Sequence, residues 1–594
     1  MKKKCETKVQ KSLDIITQAC NELGLKINVN KTKVINFMRR QGGHTYTYKI
    51  QGAEIETVKQ YKYLGVVYTS TLNMTAHSEY VAKKVTGKMN ILKCLSGAEW
   101  GSDTNTLMRY VNTCIRPVIE YGCQVINSVH PNNAGVQKLE RLLLAAIKIA
   151  MGVPKHTENN VIRTEAGAMP IIFRSQQAGM YALAKVMLDT RPHPLHTPIN
   201  SLIASNANTY WKHGINNSLN TLNWLENTTS QLREIDGLVE KITCHNLEAE
   251  YLKPIGAPYR HNTSFVIKNL DRKKSEHSAI ELVKLRSTFE EDIATRSTGC
   301  KLTVYTDASV KLETGEAAYA VLPFIDGVRT ESHVILRKLL GGHGSMTTEL
   351  AAIRDAIILV GRVCKPGENF IICTDSMSGI QAIINPDIKD NRDTLSSIHN
   401  ELDILDSSQI TGTIMWVPSH IGISGNEAVD TLANVALISE AEGISIRPTK
   451  SMVKQLIKRH VKDKWHRGMS YSHRTYGILN PNKCPMKIPN CHRHIQNKII
   501  RLRVNGYNKC PWQCEKICSL CQTDIFTTAH YLIECPVTMN NNNKLLQLLE
   551  PGDFSLSAED QAAIILRKSD NKEYRSLIEL INKHPPASHC EQNP

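Results

Sequence analysis

The chain has 594 residues, too many for one hydrophobic core, so several domains are expected. Its 72 Lys and Arg exceed 56 Asp and Glu, a formal charge of +16 that favours a polyanionic partner. The odd count of 17 cysteines, the lack of a long apolar run and the absence of an apolar segment behind Met-Lys-Lys-Lys argue against a disulfide framework, a membrane span and a signal peptide, so an intracellular protein of nucleus or cytoplasm is expected.

Taken in order, Val9, Leu13, Ile16, Cys20 and Leu23 follow a 4-3-4-3 spacing, one face of a helix that Gly24 stops. Val34 to Met38 reads as a strand. Gln41-Gly-Gly turns the chain into His44 to Ile50, an alternating hairpin partner, and Tyr61 to Tyr68 reads as a further strand. Ala76 to Leu95 and Thr106 to Tyr121 carry helical patterns. Val136, Leu139, Leu143, Ile147 and Ala150 mark another helix, ended by Gly152 and Pro154. Its Lys138, Arg141 and Lys148 are candidates to face a nucleic-acid backbone, an ordinary solvated helix face being the alternative. Residues 157–295 are helical in pattern without a chemical motif. Within them Ser205 to Ser230 is rich in Asn, Thr and Ser, as a loop-rich connector would be.

From Leu302 the pattern changes. Leu302 to Thr306, Ala317 to Phe324, Arg329 to Leu336, Phe370 to Cys373 and Ile410 to Val417 read as strands. Leu350, Ile353, Ile357 and Ile358 line one helix, and Ala428 to Ile438 forms another. Strands followed by alternating helix and strand predict an α/β layer on a mixed sheet. Four acids stand at its punctuation points. Asp307 and Asp375 follow apolar runs, Glu349 opens a helical pattern, and Asp430 lies ten residues after His420 in Val-Pro-Ser-His-Ile-Gly-Ile-Ser-Gly-Asn-Glu-Ala-Val-Asp. An aspartate after a strand is by itself more often a turn residue or cap. A gathered set of carboxylates repels itself without cations. Magnesium takes oxygen ligands and keeps several waters, and two such ions can clamp the attacking water and the leaving oxygen of a phosphodiester. Glu427 is read as solvent-facing or as a cap for the helix beginning near Gly425, not as a ligand.

These four motifs, in this order and with the loop histidine, resemble a type 1 ribonuclease H domain of the kind attached to non-LTR, LINE-like retrotransposon reverse transcriptases. The resemblance implies hydrolysis of the RNA strand of RNA·DNA hybrids. It makes Asp307, Glu349, Asp375 and Asp430 the ligands of two Mg2+ ions, with Mn2+ an alternative, and His420 an aid to proton transfer or product release. One departure stands out. The family often carries an asparagine pair just before the helix glutamate, where this chain has Ser345-Met-Thr-Thr.

Earlier in the chain, Asn-Glu-Leu-Gly-Leu-Lys-Ile-Asn-Val-Asn-Lys-Thr-Lys (residues 21–33) and Tyr61-Lys-Tyr-Leu-Gly-Val resemble the end of the palm of the same polymerases, and Arg116-Pro-Val-Ile-Glu-Tyr-Gly their thumb. The family's polymerase aspartates lie upstream of this palm helix, and no Tyr/Phe-x-Asp-Asp occurs here. No polymerase activity is therefore expected of this chain alone, and an upstream reverse transcriptase fragment becomes a candidate partner.

After Thr449 the chain turns basic around Trp465: Lys450, Lys454, Lys458, Arg459, Lys462, Lys464 and Arg467 suit a nucleic-acid backbone, and the indole a base face. Then Cys518-x2-Cys521-x8-His530-x4-Cys535 offers thiolates and an imidazole at a spacing that closes a tetrahedron around Zn2+, with Cys510 and Cys514 as alternative ligands. The segment resembles the zinc knuckles of these elements. Four pieces result: residues 1–155 as palm-end and thumb, 156–297 as a helical connection, 298–440 as the ribonuclease H domain, and 441–594 as a basic tail with a zinc knuckle. A catalytically inactive, nucleic-acid-binding remnant of a retrotransposon is the alternative.

Overall fold

The computed structural model describes residues 2–37, 46–126, 133–187, 194–204, 262–268, 276–311, 316–340, 344–385, 391–446, 449–471, 474–504, 517–540, 542–568 and 573–586. The turn expected at Gln41, the connector from Ser205, and Cys510 and Cys514 fall outside these residues. The chain forms two units, one made chiefly of Met1–Gly179 with His460–Pro594, the other chiefly of Ile215–Arg459 with Met180–Ala207.

The first unit is helical. The apolar stripe of Ala134–Met151 has a core-wide face, and Gly152 ends the helix in the left-handed conformation at φ 65°. Leu139, Leu143 and Ile147 pack in one cluster with Val85 and Leu92 of helix Thr75–Leu95 and with Leu107 and Ile115. Ile499, Ile500, Tyr531, Leu577 and Ile581, more than three hundred residues on, belong to the same cluster. The polar contacts follow the same pattern. Arg493 Nη1 donates to Thr104 Oγ1 and to Ala150 O, both at 2.9 Å, and Arg501 Nε donates to Gly152 O at 2.8 Å. Two arginines of helix Arg493–Arg503 thus satisfy the free carbonyls at the end of Ala134–Met151. Residues from the expected first piece and from the expected tail thus share one hydrophobic cluster. Periodicity shows which helix face is buried, not what buries it.

Smaller differences have local causes. The stretch Tyr61 to Tyr68 is a tight antiparallel hairpin, Gln60–Tyr63 with Val66–Thr69, because Leu64 (φ 45°) and Gly65 (φ 84°) reverse the chain. The helix from Thr104 passes through one π turn, Val111–Ile115, before Arg116–Glu120. Val34 makes only an isolated bridge to Thr57. Helix Lys2–Glu22 leaves Val9, Ile16 and Leu23 exposed, while Leu13 packs on Tyr48, Ile50 and Ile55. Lys148 is engaged locally, donating to Lys155 O at 2.8 Å, and Arg141 is exposed. Trp465 is 6% exposed in helix Lys450–Arg467, so it is a packing residue and not a free face for a base; Lys454, Lys458, Lys462, Lys464 and Arg467 remain exposed.

The second unit is built on a mixed sheet of eight strands. Along its main path run Glu442–Ser445, Ile335–Leu340, Ala317–Ile325, Leu302–Val310, Asn369–Thr374, Thr411–Trp416 and Ser264–Val266, with Val328–Arg329 beside Ala317–Ile325. Leu302–Val310 is antiparallel to Ala317–Ile325 and parallel to Asn369–Thr374, so the sheet changes character at this strand. Its alternation separates two faces. Tyr305, Asp307 and Ser309 look towards helix Ser424–Ile438, where Ser309 Oγ donates to Asn434 Oδ1 at 2.7 Å. On the other face Tyr319 OH donates to Asp355 of helix Ser345–Val363 at 2.7 Å. The strand expected at Arg329 to Leu336 is displaced to Ile335–Leu340, because a 3-10 turn at Glu331–His333 intervenes. Part of the expected connection region belongs here as well: Ser264–Val266 extends the sheet, and helix Ala279–Ser297 buries Phe289 and Ile293 in its core.

Candidate active site

The register of the two central strands brings the first two acids together. Thr306 faces Thr374 across the parallel pair, so Asp307 and Asp375 are the next residues on adjacent strands. Asp307 lies within its strand, which runs on to Val310. Asp375 lies in the turn before helix Met377–Ile384, whose N-cap Ser376 accepts from Gly379 N–H at 3.2 Å. The indole N–H of Trp416 donates to Asp375 O at 3.0 Å and holds this turn to the neighbouring strand. Glu349 is in the second turn of its helix rather than at its start. One oxygen from each of Asp307, Glu349 and Asp375 lies within 4.8 Å of the others.

Asp307 and Glu349 are buried, 6% and 7% exposed, and Asp375 is half-buried. Glu349 Oε2 has no hydrogen-bond partner among the described residues. Burial, reinforced by the charge of Asp375, pushes the Asp307 carboxyl up to about 8. Burial followed by Asp375 and Asp307 raises Glu349 well above the carboxylate range. Burial also raises Asp375, against the opposing influence of His420. Hard oxygen donors, self-repulsion and an unpartnered buried oxygen together fit a divalent cation bound by oxygen.

Asp430, at 30% exposure, comes from the opposite helix; its charge helps to raise Asp307, and one of its oxygens lies within 4.8 Å of ligand atoms of His420 and Glu427. Its Oδ2 stands 3.9 Å from His420 Nδ1, and its Oδ1 accepts from Asn434 Nδ2 at 3.1 Å. The relay from Ser309 through Asn434 to Asp430 was not anticipated. Its signal was present as spacing: Ser309 is two residues after Asp307 on a strand, and Asn434 one helical turn after Asp430. His420 is exposed, in a loop where its own φ is 49° and that of Gly422 is 91°. Glu427 accepts from Gly422 N–H at 3.1 Å, which ties it to the loop ahead of helix Ser424–Ile438 and caps none of the helix's own N–H groups.

A second cluster lies in the helical unit. Ligand atoms of Cys518, Cys521, His530 and Cys535 all fall within 4.8 Å of one another. A turn carries the first two: Cys518 N–H donates to Asp524 O, and Ile517 bridges Ile525. His530 opens a π turn, His530–Glu534, that ends at Cys535. The Thr523 hydroxyl, donating to Cys521 Sγ at 3.1 Å, is the main cause that pushes the Cys521 thiol down to about 6, and His530 adds to it. Burial raises Cys518. Three soft donors and one imidazole at this separation are the composition of a closed zinc site.

Among the described residues no helix is long and apolar enough to cross a membrane. No curated protein matches the chain. The crystal structure of RNase H1 from the halophilic archaeon Halobacterium salinarum NRC-1 matches at 20% identity, covering 23% of this chain and 97% of that one, with a TM-score of 0.19. The RNase H family matches residues 300–438, the segment that contains all four carboxylates and His420. Residues 300–438 are an RNase H domain, and with it comes the binding of nucleic acid.

Proposed function

We propose that this chain is a metal-dependent ribonuclease H that cuts the RNA strand of RNA·DNA hybrids, leaving 3′-hydroxyl and 5′-phosphate ends. The observation that carries the reading is the uncompensated cluster of Asp307, Glu349 and Asp375, with an unpartnered oxygen on Glu349. Asp307, Glu349 and Asp375 would hold one Mg2+, and Asp430 would complete a second position. Bound cations supply neutralisation of the carboxylates and polarisation of the scissile phosphate. Glu349 accepts a hydrogen bond from the attacking water and orients it towards phosphorus. Asn434 and Ser309 keep the Asp430 carboxylate turned inward. His420, exposed beside Asp430, would give a proton to the leaving 3′-oxygen and recover one from solvent, while the proton of the attacking water leaves on the Glu349 side. With Ser345-Met-Thr-Thr ahead of Glu349, recognition of the ribose 2′-hydroxyl falls to backbone groups or other side chains.

The same reading takes Cys518, Cys521, His530 and Cys535 as a structural Zn2+ site. It places the chain in a non-LTR retrotransposon polyprotein, supported by the palm-like and thumb-like segments, with an upstream reverse transcriptase fragment as partner. The test is an end-labelled RNA·DNA hybrid incubated with the purified chain under Mg2+, beside EDTA and Asp375→Asn. Cuts confined to the RNA strand, dependent on Mg2+ and lost in the variant, are expected. Hybrid binding without cleavage would instead identify an inactive binding module.

A further inference from the structure

The family match begins at residue 300, yet the sheet and core of this unit reach further back. Helix Ala279–Ser297 starts at a capping box in which Glu281 N–H donates to Ser278 Oγ and Ser278 N–H to Glu281 Oε2. One side of it meets the site twice. Phe289 packs edge-on against Trp416, with ring centroids 5.9 Å apart, and Trp416 is the residue whose indole holds the Asp375 turn. Lys268 lies 5.5 Å above the Phe289 ring and pairs with Asp292 at 2.9 Å, which pins the helix to the chain that follows the edge strand.

The second meeting is made by Arg286, one turn ahead of Phe289. Its Nε donates to Glu290 Oε1 at 3.1 Å, which sets the plane of the guanidinium. That plane covers Gly422: a Cβ built there would lie 3.0 Å from Arg286 Nη1 and 3.4 Å from its Cδ. Gly422 belongs to the loop that presents His420. Two of three consecutive residues in this loop, His420 and Gly422, have positive φ, a conformation uncommon outside glycine that costs the His420 backbone some strain. Glu427 ties the loop from one side through Gly422 N–H, and Arg286 lies on another.

We propose that Arg286 is a positioning residue of this site, clamping the His420–Gly422 loop so that His420 stays beside Asp430. Helix Ala279–Ser297 is then a working part of the domain and not a connection to it. The inference rests on the ribonuclease reading for its kinetic consequence, but not for the clamp itself.

The experiment uses the full chain as wild type, Arg286→Ala, Arg286→Lys, His420→Ala and the double variant Arg286→Ala/His420→Ala. Amide hydrogen exchange at Ile421 and Gly422 reads the clamp without any activity, and Arg286→Ala should speed it about tenfold while helix Ser345–Val363 is unchanged. On an RNA·DNA hybrid with Mg2+, kcat should fall about tenfold with KM little moved, since a displaced catalytic loop loses rate and not binding. That loss should vanish in the His420→Ala background, because both changes act through one group. Arg286→Lys keeps the charge without the plane and should behave as the alanine variant. Unchanged exchange overturns the clamp. So does full rescue by lysine, or an additive loss in KM that salt modulates, which would make Arg286 a phosphate contact. Absence of cleavage by the wild-type chain overturns the ribonuclease reading and leaves the exchange result to decide the clamp.

Discussion

The two units bury charge in opposite ways. In the helical unit Glu165 and Arg503 are both fully buried and face each other at 3.7 Å, too far for a hydrogen bond, so Arg503 offsets only part of the burial that raises the Glu165 carboxyl. Tyr476 OH adds a hydrogen bond to Glu165 at 2.9 Å, and Arg503 Nη2 donates to Lys487 O at 2.8 Å. The sheet unit buries Asp307 and Glu349 beside Asp375, and only His420, from the loop, opposes the rise of the Asp375 carboxyl. The contrast repeats within one helix. Asp355, two turns after Glu349, is buried but receives Arg337 at 2.7 Å, Arg354 at 2.9 Å and Tyr319 at 2.7 Å. A compensated buried charge is architecture, and removing its partner exposes the cost of desolvation. An uncompensated cluster is held in place by the fold against its own repulsion and awaits a ligand.

This difference has measurable consequences. The largest is expected at Asp307. Asp307→Asn should reduce cleavage of a labelled hybrid by about a thousandfold or more, because a cluster ligand is lost at the reacting phosphate. The same change should raise the melting temperature of the metal-free chain, since it removes a like charge from a buried set. A drop in that temperature would show that Asp307 belongs with the architectural charges. Next in size, Glu165→Leu leaves Arg503 buried without its acid and should destabilise the helical unit by about 3–5 kcal/mol. The double change Glu165→Leu/Arg503→Met should recover most of that loss in denaturant melts; no recovery would mean that the pair is not the source.

The two candidate metal sites make the comparison sharper. Cys518→Ser should abolish co-purification of zinc, measured by elemental analysis, and lower the melting temperature of the full chain, because binding energy at a closed site is folding energy. Unaltered zinc content would dismiss the cluster as a site. The pH dependence carries a definite sign. Asp307 is raised to about 8, so the folded state keeps its proton where the unfolded chain, with a pKa of about 4, has released it. In EDTA the chain should therefore lose stability as pH rises from about 4 to about 8, and then level off. Mg2+ binds the ionised form, so its stabilisation should grow over the same range. A flat profile in EDTA would remove the basis for the charge contrast. The smallest effect is expected of the surface charges on helix Lys450–Arg467, in contrast to its buried Trp465. Charge reversal at Lys458 or Lys462 should lower the salt dependence of hybrid binding by about one unit each if those lysines meet phosphates. Trp465→Ala should cost about 3 kcal/mol of stability, as a core truncation does.

What could be read from the chain alone was what lies close along it. The strands around Asp307 and Asp375, the helix of Glu349, the spacing of His420 to Asp430 and the Cys518–Cys535 cluster all fall within short stretches, where covalent geometry and the 2.0 and 3.6 residue periods limit the outcomes. The mixed sheet followed from the same patterns. Tertiary structure alone decided which distant pieces meet. Arg493 and Arg501 close the helix that ends at Met151, Trp465 turns inward despite its basic neighbours, and Arg286 reaches Gly422 from outside the matched segment. No local period encodes such pairings. They are selected by the packing of a whole core, to which each residue contributes only a small share of the free energy.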